Sequence, residues 1–128
     1  MIAKNIIEDD ESAIVILTDG TNLKIFDGGF ATTGNWIIDK NLSVDKAIIY
    51  KRDKTTNRTD VFLGTPFDVF PSETHRRYVV RLCDVNYVGT TENDWCEFTE
   101  SKKGAINPIK YINKKNSKTS NNSLLSFP

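Results

Sequence analysis

The sequence is poor in the residues that hold metals and carry nucleophilic chemistry, with one histidine, His75, and two cysteines, Cys83 and Cys96, in 128 residues. Two cysteines are too few for a disulfide framework, and one histidine does not complete the paired ligand spacing of a zinc site. Both cysteines read as free thiols, a state in which cysteine is usually buried. Catalytic signatures are missing as well. There is no G-x-S-x-G, H-E-x-x-H or P-loop, and Gly28, Gly29 and Gly34 flank strand candidates without opening a helix, so they form no phosphate-binding fingerprint. His75, the one imidazole base, lies near a loop proline and beside Arg76 and Arg77, the setting of a surface residue. Neither Asp9 with Asp10 nor Asp39 with Asp45 has a spacing that requires a divalent ion. No cofactor, metal or catalytic residue is implied.

Long apolar runs are also absent, none approaching the roughly 18 residues that span a bilayer. The opening "MIAKNIIEDDES" has one early lysine and then an acidic cluster, without the basic region, apolar stretch and cleavage site of a signal peptide. A cytoplasmic protein with no membrane partner is expected. The length suits one domain that buries a core without staples. Composition places that domain over 1–112 and a flexible, polar and basic tail over 113–128, low in complexity and ending in "LLSFP".

A formal net charge of zero conceals a marked asymmetry. Residues 1–45 carry eight acids against three lysines, residues 82–100 carry five acids and no base, and the chain after Glu100 carries six lysines and no acid. Basic residues gather in Lys46–Arg58, His75–Arg81 and the tail.

Strand patterns dominate. In "SAIVILTDGTNLKIFDGG" two apolar runs flank Asp19-Gly20, a pair suited to a two-residue type I′ turn, so a hairpin is expected over 13–27. "NWIID" is a short strand candidate. "VDKAIIYK" is apolar on both faces, as in a central strand covered on two sides, and with "DVFLG" forms a second hairpin over 45–64. The region of Pro66 and Pro71 reads as irregular. From Arg76 to Val88 a long strand is expected, with Tyr78, Val80 and Leu82 on its core face and Arg77, Val79, Arg81 and Cys83 on the other.

The first part of "NDWCEFTESKKGAINPIKYI", residues 93–112, together with Thr91 and Glu92 before it, reads as a helix over 91–103. Thr91 and Asp94 make a variant capping box, acids occupy the first turn, Lys102 and Lys103 the last, and Gly104 and Pro108 stop it. Trp95 and Phe98, three residues apart on one face, are its docking anchors. "AINPIKYI" is an extended return segment, with Ile109 and Tyr111 on one face of an edge strand.

Basic and aromatic residues at strand positions form the candidate site. Tyr50, Lys51 and Arg52 end one strand, Arg76, Arg77 and Arg81 occupy another, and Trp36 and Tyr87 offer stacking faces near strand ends. Cations on phosphate and aromatics under bases are the chemistry of nucleic-acid and nucleotide recognition. Arg77 and Arg81 on one strand face would stand about 13 Å apart, a separation that suits two phosphates.

The run from "VDKAIIYKR" through "DVFLG" to "RRYVVRLCDVNYVG", within residues 36–90, resembles the strand sequence of small β-barrel domains of the PUA-like group, including the EVE and ASCH families. That resemblance implies a half-closed barrel whose cleft accepts nucleic acid or a modified base. The expected fold is therefore α+β and mainly β: a curled antiparallel sheet or half-closed barrel of two hairpins plus a long strand, with one C-terminal helix. The expected function is a non-catalytic binding module for nucleic acid or a nucleotide. An alternative is a protein-interaction factor, such as a phage-encoded inhibitor of a host defence protein, in keeping with a composition rich in Asn, Lys and Ile. A second alternative is a small nucleotide-modifying enzyme.

Overall fold

The computed structural model describes residues 3–91 and 108–114. Among them the chain forms one turn of 3-10 helix (Ala3–Asn5) and seven strands: β1 (Ser12–Thr18), β2 (Leu23–Phe26), β3 (Phe30–Trp36), β4 (Lys46–Asp53), β5 (Arg58–Pro71), β6 (Tyr78–Thr91) and β7 (Ile109–Asn113). The strands make one sheet in the order β2-β3-β6-β5-β4-β1-β7, with β2 and β7 as its edges, so it does not close into a barrel. The sheet is mixed rather than antiparallel throughout, because β1 and β4 run parallel.

That parallel pair explains why no hairpin forms over 13–27. β1 is buried on both faces, with Ala13 and Val15 in one apolar cluster and Ile14 and Ile16 in the other. A strand so covered belongs inside a sheet, and β1 lies between β4 and β7. Asp19-Gly20 therefore turns the chain out of β1, and β2 pairs with β3. The start of the parallel pair is pinned by Asp45, whose carboxylate accepts from the Ser12 N–H at 2.8 Å and whose own N–H donates to the Ser12 carbonyl at 3.0 Å.

The hairpin expected over 45–64 is present, with Ala47 opposite Gly64 and Asp53 opposite Arg58. β5 continues well beyond it, through the Pro66 to Pro71 stretch that reads as irregular in sequence. Proline is tolerated there because the β4 register ends at Gly64, so β5 has an open side where no ladder N–H is needed. β5 and β6 pair along their whole length through three register shifts, and Asp84 takes a positive φ of 52°. Such bulges bend and twist a strand. The bend carries the β2-β3 end of the sheet over the β1-β4 end, so that Ala31, Val80 and Leu82 pack with Ile14, Ile16, Ala47 and Ile49. Leu42 and Val44, from the loop before β4, help fill this concave core. On the convex side Ala3 and Ile7 cover Ala13, Val15, Ile48 and Tyr50.

The expected long strand matches β6, with Val80 and Leu82 fully buried and Arg81 exposed. "NWIID" contributes only Asn35 and Trp36, at the end of β3. β7 is the anticipated edge strand, paired antiparallel with β1, and within it Ile109 is buried while Tyr111 is 55% exposed. Asn113 belongs to β7, and Lys114 is also anchored, its ammonium donating to the Ile7 carbonyl at 3.1 Å. The rest of the expected tail lies outside the described residues. So does the expected helix over 91–103, except for Thr91, which is the last residue of β6 and pairs with Thr59.

Candidate functional site at the ends of three strands

The C-terminal ends of β1, β3 and β4 meet around a pocket of about 410 Å³. Leu17 and Thr18 come from β1, Gly34, Asn35 and Trp36 from β3, and Arg52 from β4. The turn residues Asp19, Thr21 and Asn22, with Lys54, complete the wall. Three sequence-distant segments converge because the sheet curls. The Gly34 N–H donates to the Asn22 carbonyl at 3.3 Å, so the turn after β1 and the end of β3 form one rim.

Local chemistry sets the shape of that turn. The Thr18 hydroxyl oxygen accepts from the Gly20 N–H at 3.0 Å and the Asp19 carboxylate from the Thr21 N–H at 2.9 Å. Gly20 takes φ of 101°, a left-handed conformation that glycine adopts without strain, and a Cβ built on it would meet Lys51 Cε at 3.0 Å. Lys51 therefore lies across the turn beside the pocket. Gly34 is equally constrained, since a Cβ there would come within 2.8 Å of Val79 Cγ2.

Trp36 is half-buried at the pocket wall, its indole N–H donating to the Thr33 hydroxyl at 2.9 Å, which fixes the ring plane. The Arg52 guanidinium donates from Nε to the Thr59 hydroxyl at 3.5 Å. Lys54 pairs with Asp19 at 3.2 Å. Hydrogen bonds from the side chain and backbone of Thr21, reinforced by Lys54, hold the Asp19 carboxyl at about 2, below its ordinary 3.8. With the folded value below the unfolded one, ionised Asp19 stabilises the fold fully above the ordinary value, and this contribution disappears as pH falls toward about 2. Asp19→Asn should accordingly flatten the dependence of the denaturation midpoint on pH between about 2 and 4 and leave the curve from about pH 5 to 8 parallel to that of the parent.

Of the eight residues proposed from sequence, Trp36 and Arg52 line this pocket and Lys51 borders it. Arg77 reaches its rim, with Nη1 donating to the Asn35 carbonyl at 3.0 Å. Arg77 is the residue immediately before β6 rather than within it. Arg81 sits over the Phe70 ring at 4.7 Å, beside Asp68 at 3.8 Å. Arg76 is exposed in the turn before β6, with φ of 62°. Tyr50 does not belong among the candidate ligand contacts: at 0% exposure it is core. Tyr87 is 54% exposed, packs edge-on against Phe62, and shares hydroxyl hydrogen bonding with Thr90. Arg58 joins that group through Asp60 and Thr90, and its bond to the Tyr87 side chain is the main cause holding its pKa above the ordinary value. Arg52 of the pocket wall stands opposite Thr59, between Arg58 and Asp60 on β5, so this network begins one strand away from the pocket, at about 4.8 Å.

Asp19, Thr21, Asn22, Asn35 and Lys54 escaped the sequence reading. The signal available for the first three was "TDGTN", a run of turn-forming side chains, which reads equally well as a tight hairpin. Among the described residues no group of three or more His, Cys, Asp or Glu converges as a metal site, and no helix is long and apolar enough to cross a membrane. No family model, curated protein or solved structure matches the chain.

Proposed function

We propose that the protein is a non-catalytic binding module for nucleic acid or a nucleotide, and that the pocket between β1, β3 and β4 receives a base. The observation that carries this reading is the meeting of Trp36 with Arg52 and Lys54 in one pocket. An indole offers a stacking face for any base, and cations beside it suit the phosphate attached to that base. Asn22, Asn35 and Thr21 add amide and hydroxyl groups that both donate and accept, as base edges require. The resemblance of residues 36–90 to PUA-like domains points to the same ligand class.

The test is fluorescence anisotropy of a labelled single-stranded oligonucleotide titrated with the protein at low salt. Binding is expected, and Trp36→Ala should weaken it by about tenfold or more, since stacking on an aromatic is worth roughly 1–3 kcal/mol per base. Circular dichroism of the variant checks that the sheet persists. Absence of binding by the parent protein to both oligonucleotides and free nucleotides would refute the reading.

A second reading, a protein-interaction factor, is favoured by one observation. The open edge strand β2 and the start of β3 expose Ile25, Phe26 and Phe30 by about half, near a similarly exposed Phe67 whose ring meets Phe30 edge-on at 6.4 Å. Exposed apolar side chains gathered in this way mark contact surfaces on other proteins.

A further inference from the structure

The base pocket has a neighbour. A second hollow, of about 210 Å³, is lined by Lys24, Thr32, Phe70 and Val79 and shares Asn22, Gly34 and Asn35 with the first. Its side chains belong to the convex face: Thr32 alternates with the buried Ala31 and Thr33, and Val79 and Phe70 stand opposite one another across β6 and β5. The two hollows meet at a common rim, formed by Gly34 and Asn35 at the end of β3 and by Asn22, the residue preceding β2. Each side offers an aromatic and a cation: Trp36 with Arg52 on one, Phe70 with Lys24 on the other. Arg81 stacks over Phe70 and extends that second surface. A further cation stands at the crossing, because Arg77 donates to the Asn35 carbonyl of the rim itself.

We infer that the site takes two consecutive nucleotides of a single strand, one base entering the Trp36 pocket and the next resting against Phe70 and Lys24, with the connecting phosphate crossing the rim near Arg77. This rests on the nucleic-acid reading of the first pocket and narrows it from a nucleotide to a strand. A lone nucleotide would engage only one of the two pairs of aromatic and cation. A duplex does not fit the arrangement, since a paired and stacked base cannot be parted from its neighbour by a protein rim without unstacking.

Competition against a labelled pentanucleotide tests this in the full chain, with a mononucleotide, the matching dinucleotide and a duplex of the same sequence as competitors, in both ribo and deoxy forms. The dinucleotide should bind at least about tenfold more tightly than the mononucleotide, in line with one added stacked base, and the duplex should compete poorly. The double variant Lys24→Gln/Phe70→Leu should remove the dinucleotide advantage while leaving mononucleotide affinity within about twofold, because the Trp36 pocket is untouched. Equal binding of mononucleotide and dinucleotide would overturn the two-nucleotide inference and leave the base pocket standing. An advantage that survives in the double variant, or a duplex that competes as well as the single strand, would overturn it too. Failure of every competitor, and of the pentanucleotide itself, would instead remove the nucleic-acid reading on which it depends.

Discussion

Replacing Tyr50 with alanine should destabilise the protein by about 3 to 5 kcal/mol, the range for truncating a large aromatic in a packed interior. Tyr50 is fully buried on β4, among Val15, Ile48 and Val61 and beneath Ala3 and Ile7. β4 is an interior strand, with β1 on one side and β5 on the other. The hole left by the ring therefore cannot be filled by sliding an edge strand inward, and the cavity cost adds to the lost burial. Urea denaturation followed by circular dichroism measures this directly. Ligand affinity per folded molecule should change little, since Tyr50 lines neither hollow. A variant that kept its stability and lost only binding would restore Tyr50 as a ligand contact and contradict its placement in the core.

The second large effect concerns charge. Arg52→Gln with Lys54→Gln should lower oligonucleotide affinity by about a hundredfold at low salt, taking roughly 1.5–3 kcal/mol for each hydrogen bond to a charged group and some loss of additivity between neighbours. The plot of log affinity against log salt should also become shallower by about 0.7 for each phosphate contact removed from a single strand. The Lys54 change alone should move stability little, because Lys54 is 78% exposed in its pair with Asp19 and such surface pairs contribute little. An unchanged salt slope would place the phosphate contacts elsewhere, with the Arg81 side of the rim the next surface to vary.

Several of these elements were legible in the sequence for identifiable reasons. The unbroken apolar middle of "VDKAIIYK" marks a strand covered on both faces, and β4 is one. The alternation from Tyr78 to Cys83 marks a strand with one wet face, and β6 shows it. The same reasoning applied to "AIVIL" would have placed β1 inside the sheet, but the Asp19-Gly20 pair offers a local hairpin that competes with it. Local turn chemistry cannot distinguish a hairpin from a turn that leaves the sheet, because Asp and Gly serve both; burial on two faces decided the matter. Tyr50 was misread for a related reason. A tyrosine next to Lys51 and Arg52 looks like part of a basic surface, yet on a strand successive side chains point to opposite faces, and here the tyrosine's own face is sealed. Trp36 and Arg52 could be chosen singly by residue type, but their meeting with Asn22 and Asn35 depends on bulges in β5 and β6 that leave no pattern in the hydrophobic period.

The parallel pairing of β1 with β4 bears on the order in which the chain assembles. β4, β5 and β6 are joined by short connections and pair with their neighbours in sequence, so this meander closes small loops and can form early. β1 must wait: its partner lies beyond β2, β3 and the loop that follows, and a long loop must close before any contact rewards it. The walls of the base pocket are contributed by β1, β3 and β4 together, so the binding surface comes into being only at that late docking step. A partly folded chain would have a meander but no site, and a ligand present during refolding should slow the loss of the finished state far more than it speeds the approach to it.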